Sequence, residues 1–111
     1  MKRKWNKKKE LPEEHVRAPL TLEGELTMAS LDPSLPFVDL HGLPRDAVAF
    51  ELEHLMYRNL GKIVRIIYGH GSGIVKEEVL RQLRLLMEKK ESPIEGFIQE
   101  MRDVSCLVKV R

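Results

Sequence analysis

The chain has a single cysteine, no run of about eighteen apolar residues, and no cluster of cysteine and histidine at zinc-ligand spacing. Each absence excludes a class. One thiol, Cys106, cannot form an internal disulfide, so the small disulfide-stapled secreted scaffolds are ruled out and a reducing compartment is expected, with Cys106 as a packing residue. The N-terminus is basic, yet no apolar core of a signal peptide follows it, and no segment is suited to span a membrane. A cytoplasmic protein with no membrane partner is the expectation. Internal repeats are absent, and the only biased segment is a lysine-rich start. What remains, 111 residues of which 42% are hydrophobic, fits one domain with one small core.

Charge is unevenly placed. Of nineteen basic residues, six are Lys2, Arg3, Lys4, Lys7, Lys8 and Lys9, which leaves thirteen against seventeen acidic residues from residue 10 onward. The body therefore carries an excess of negative charge, and a polyanion would be attracted by the arm or by one focused patch. Two readings of residues 1–18 stand open. They form a disordered solubilising arm or a nucleic-acid arm, in which Trp5 adds a stacking group.

Residues 19–36 contain Pro19, Pro33 and Pro36 without a helical period, and read as an extended leader. Leu20, Leu22, Leu26 and Met28 alternate with polar neighbours, which suits a strap or edge strand laid across the domain; a peptide motif for a partner is the alternative. From residue 37 the pattern becomes regular. Phe37 to His41 reads as a short strand, and Pro44 and Asp46 open an amphipathic helix that ends near Gly61. Lys62 to Tyr68, rich in β-branched residues, is a second strand. Ile74 to about Lys90 is a second helix with acids early and lysines late, and 94–99 with 105–110 form a closing hairpin. The order βαβαββ predicts an α/β domain, a two-layer sandwich with parallel helix-linked strands.

Ligands in open α/β folds usually bind at the carboxyl edge of the parallel strands, and two motifs leave strands there. In the first, Val38-Asp39-Leu40-His41-Gly42, Asp39 and His41 are two apart and face one way. They suit a general acid/base held by its carboxylate, or a structural hydrogen-bonding pair; Asp39 could also hold Mg²⁺ or Mn²⁺ through water and substrate phosphate. No tightly bound cofactor is expected. In the second motif, Gly69-His70-Gly71-Ser72-Gly73 runs straight into a helix whose first N–H groups are unpaired, and Lys76 follows in the first turn. This is either a tight turn or a phosphate cradle in which Ser72 caps the helix or contacts phosphate. The spacing matches neither the Walker loop nor the dinucleotide fingerprint.

These residues resemble the motifs of Smr (small MutS-related) domains, in which LDLHG is followed, after a helix and a strand, by a glycine-rich turn ahead of a second helix. The resemblance covers residues 37–111. It implies a fold similar to the C-terminal domain of bacterial translation initiation factor three and nucleic acid, DNA or RNA, as ligand. A ribosomal surface is a further candidate partner, and a monomer is expected. Many relatives are nicking or RNA-cleaving endonucleases. On that likeness Asp39 and His41 are catalytic, while Gly69, His70, Gly71, Ser72, Gly73 and Lys76 bind substrate phosphate. A non-catalytic adaptor that binds nucleic acid or the ribosome is the alternative. With no ATPase region in these residues, the expectation is a stand-alone form targeted by its leader. Three departures stand out. Tyr68 replaces a common His or Thr, His70 replaces a basic residue, and residues 101–105 replace a glycine-rich turn before the last strand.

Overall fold

The computed structural model describes residues 21–111; the basic arm, with Lys2 to Lys9 and Trp5, lies outside them. Helix α1 (Leu22–Ala29) comes first, followed by strand β1 (Phe37–Asp39). A 3₁₀ turn (Arg45–Ala47) then leads into α2 (Val48–Arg58), and β2 (Ile63–Ile67) into α3 (Ile74–Glu88). Strands β3 (Ile94–Gln99) and β4 (Ser105–Val110) close the chain.

The four strands are ordered β1-β2-β4-β3. β1 and β2 are parallel, with Val38 opposite Ile66, as the right-handed crossover through α2 requires. β4 runs antiparallel to both of its neighbours, so it lies between the two strands that α3 connects. The register of β3 slips between Ile94 and Gly96. One sheet face, carrying Val64, Ile66, Cys106, Val108 and Val110, packs with Leu52 and Leu55 of α2 and Val79 and Leu83 of α3 into the main core. Cys106 is fully buried there, and burial pushes its thiol up to about 12, so it is inert packing.

The leader departs from its expected form. Residues 22–29 are a helix, not an extended strap, and they cover the second sheet face. The Thr21 hydroxyl accepts from Gly24 N at 3.0 Å, which caps the first turn, and Glu23 and Glu25 complement its positive end. Leu22 and Leu26 suit an alternating strand, but their separation of four is also one helical turn. Tertiary burial decides between the two periods: Leu26 is 1% exposed. Gly96 lies directly beneath this helix, where a β-carbon would stand 2.6 Å from Leu22 Cδ2 and oblige that side chain to turn aside.

Polar side chains fasten this layer. Arg65, on β2, holds Glu100 through Nε at 2.9 Å and through a second nitrogen at 3.0 Å. The same guanidinium donates to the carbonyls of Ser30 and Asp32, and Lys109 Nζ reaches both oxygens of Glu25 at 2.9 Å. Burial raises the Glu100 carboxyl, but the hydrogen bonds from Arg65 and Ser105 outweigh it and hold the group below its usual range. Among the described residues no helix is long and apolar enough to cross a membrane.

Candidate functional site

β1 is shorter than its sequence pattern and lies at the sheet edge, which explains how it carries an acid: Phe37 and Asp39 are exposed rather than buried. Leu40 N still bonds Ile67 O at 2.7 Å, after which the chain turns, with Leu43 N bonded to Leu40 O at 3.1 Å. Leu40 is buried in the core and fixes this turn from beneath. His41 is thereby lifted to the mouth of a cleft of about 570 Å³, lined by residues 41–45 and 68–76.

Asp39 does not line the cleft. It stands behind His41, and its Oδ1 lies 2.8 Å from His41 Nδ1 and accepts from His41 N at 3.1 Å. These two bonds hold the Asp39 carboxyl below its ordinary range. An ionised carboxylate can only accept, so Nδ1 donates and Nε2 keeps the free lone pair, the tautomer needed in a general base. His41 is 72% exposed in its side chain, leaving that nitrogen open to a ligand.

The glycine loop runs beside it. Gly69 has φ 79, a conformation that favours glycine, and a β-carbon there would crowd His41 Cβ at 3.1 Å. Tyr68 N and Gly69 N donate to Val104 O at 2.8 and 3.0 Å, tying the loop to the β3–β4 turn. Tyr68 itself is a core residue; burial raises its hydroxyl, which donates to Ser105 O at 3.1 Å. Ser72 is not the cap of α3. Gly73 holds that position in a left-handed conformation, and no side chain caps the helix. The first N–H groups of α3 therefore open toward the cleft lined by residues 69–76.

The cations are arranged differently from the sequence-based expectation. Lys76 lines the cleft, but its Nζ sits 2.5 Å from Asp103 Oδ2. Arg45, which sequence reasoning passed over, lines the opposite side and is 63% exposed, with Nε 4.0 Å from Glu78 Oε1. An arginine just after the first motif and at a helix start opposes the helix dipole, and that conflict was a readable signal for it. Nothing in the sequence marks Asp103, which reaches Lys76 across 27 positions. Glu78, almost fully buried beneath Arg45, is held at about 2 by hydrogen bonds from Arg81 and Gln82.

A divalent ion fits this donor set poorly. Among the described residues no three His, Cys, Asp or Glu side chains converge, and the Asp39 oxygen nearest His41 already accepts two hydrogen bonds.

Compared with solved structures, the chain is similar to the Smr domain of Thermus thermophilus MutS2, with a TM-score of 0.58 and 23% identity over 69% of this chain and 99% of that one. The fold is that of an Smr domain. No family model and no curated protein matches the sequence. Within the Smr fold of this chain, the two motifs leave neighbouring parallel strands at one edge, which is why residues far apart in sequence share a cleft.

Proposed function

We propose that the chain binds nucleic acid in the cleft between its two motifs and cleaves the phosphodiester backbone there. The observation that carries this reading is the Asp39–His41 pair, which holds an imidazole in one tautomer with its other nitrogen exposed beside a glycine loop and an uncapped helix start. The Smr fold supports nucleic acid as the ligand class.

In this mechanism a backbone phosphate is bound by the N–H groups of residues 70–76, which follow the Gly69 N–H spent on Val104 O, and by Arg45. His41 Nε2 takes the proton from the attacking hydroxyl, either a ribose 2′-OH or a water. Asp39 keeps the ring oriented and stabilises the imidazolium that results, as a carboxylate behind a catalytic histidine does. His70, which also lines the cleft, is of a residue type able to give a proton to the leaving oxygen. Charge that grows on the phosphate is met by the α3 dipole and by Arg45.

A second reading, a nucleic-acid or ribosome-binding adaptor without cleavage, is favoured by the pairing of Lys76 with Asp103, which leaves the cleft one cation fewer to meet charge in a transition state. A paired assay separates the two. Wild-type protein is incubated with a labelled stem–loop RNA and with supercoiled plasmid, with and without Mg²⁺, while binding is followed by fluorescence anisotropy. Cleavage of either substrate supports the nuclease; tight binding with both substrates intact assigns the chain to the adaptor class.

A further inference from the structure

Lys76 ought to be the cation of the cleft, and it is already occupied. Its ammonium lies 2.5 Å from a carboxylate oxygen of Asp103, a residue of the β3–β4 turn that is not itself part of the cleft wall. The pair is partly exposed, at 31% and 57% of the two side chains, so it contributes little to stability. Its position gives it significance of another kind.

Asp103 is brought to Lys76 by the backbone. It is the non-glycine residue with positive φ among those described, at φ 61, and its N–H closes the turn onto Glu100 O at 3.0 Å. The next residue, Val104, accepts from the first two N–H groups of the glycine loop. The carboxylate is short and carried on a turn fastened to the cleft, so it sits on the ammonium without a long flexible stem to order. A lysine in the first turn of α3 would otherwise be repelled by the helix dipole. Asp103 relieves that conflict with an anionic oxygen, Oδ2, the same chemistry that a phosphate would offer.

We infer that Asp103 is an internal competitor for the phosphodiester backbone at Lys76 and thereby sets the affinity and selectivity of the cleft; this rests on the cleft being a nucleic-acid site. A lone phosphate group must displace a carboxylate of very high effective concentration, whereas a polynucleotide anchored elsewhere in the cleft presents its next phosphate at comparable effective concentration. The cleft therefore selects polynucleotides over mononucleotides and inorganic phosphate.

Asp103→Asn tests this, because asparagine tolerates the left-handed backbone while removing the charge; Asp103→Gly does the same should the first variant fail to fold. Affinity for a labelled stem–loop RNA and for its DNA counterpart is measured by anisotropy across a salt series, with competition by inorganic phosphate, in wild type, Asp103→Asn, Lys76→Met and the double variant. Removing the competitor should tighten binding about three- to tenfold at low salt and steepen the salt dependence by about 0.7–0.9, the contribution of one more phosphate contact. It should also make inorganic phosphate an effective competitor, and the gain should vanish in the Lys76→Met background. An unchanged affinity in Asp103→Asn, or the same gain with and without Lys76, overturns the inference while leaving the cleft as the binding site. Failure of every variant to bind either oligonucleotide overturns both.

Discussion

Two acid–base pairs sit on this small sheet, and they are built to opposite ends. At Arg65–Glu100 the guanidinium is shared between both oxygens of the carboxylate and two backbone carbonyls, and Ser105 Oγ donates to Glu100 as well, at 2.7 Å. Both side chains are largely shielded from solvent, and little capacity is left for a ligand. At Asp39–His41 the acid holds only one ring nitrogen, both side chains are exposed, and the free nitrogen faces a cleft. Saturated hydrogen bonding fastens α1 to the sheet; incomplete hydrogen bonding leaves a ring nitrogen free for a ligand. The two pairs are alike in residue chemistry and differ in what remains unspent.

The contrast can be broken first at its structural end. Arg65→Ala leaves Glu100 shielded without its cation and frees two carbonyls, so a stability loss of about 3 kcal/mol is expected in urea unfolding. Oligonucleotide affinity should be unchanged under conditions where the variant stays folded. At the other end, Asp39→Asn should lower single-turnover cleavage roughly 10- to 100-fold, through the lost support for the imidazolium, with stability altered by less than about 0.5 kcal/mol.

A smaller effect, common to both pairs, appears with pH. Glu78, Glu100 and Asp39 all have carboxyls depressed in the folded protein, Glu78 from 4.5 to about 2. A depressed folded value means that the unfolded chain takes up protons first. The stability these groups contribute is complete above the usual carboxylate range and is lost as pH falls below it, for Glu78 from 4.5 towards 2. Melting temperature should fall across that window in wild type. It should fall less steeply in Glu78→Gln, which removes one of the titrating groups; equal slopes would contradict the assignment of Glu78.

How far the sequence reveals this molecule depends on where each constraint is local. The helix over residues 74–88 and the strands 94–99 and 105–110 follow from apolar periodicity with turn residues between them. The same holds for the meeting of the two motifs, because a parallel strand pair joined by a helix puts its exits side by side. The α1 helix was hidden because Leu22 and Leu26 satisfy two periods, and only burial on the second sheet face chooses between them. Asp103 was hidden for a stronger reason. Its effect on Lys76 depends on the β3–β4 turn being bonded to the glycine loop through Val104, a contact between segments that no spacing rule relates.

In the proposed cleavage His41 is the group that moves the proton. The measurement that reaches it most directly is single-turnover cleavage of the stem–loop RNA and the plasmid by wild type and His41→Ala, each at saturating protein, with affinity and unfolding recorded on the same preparations. The expected result is a loss of about 10²- to 10⁴-fold in cleavage rate with binding and stability held; equal cleavage by the two proteins on both substrates would contradict it.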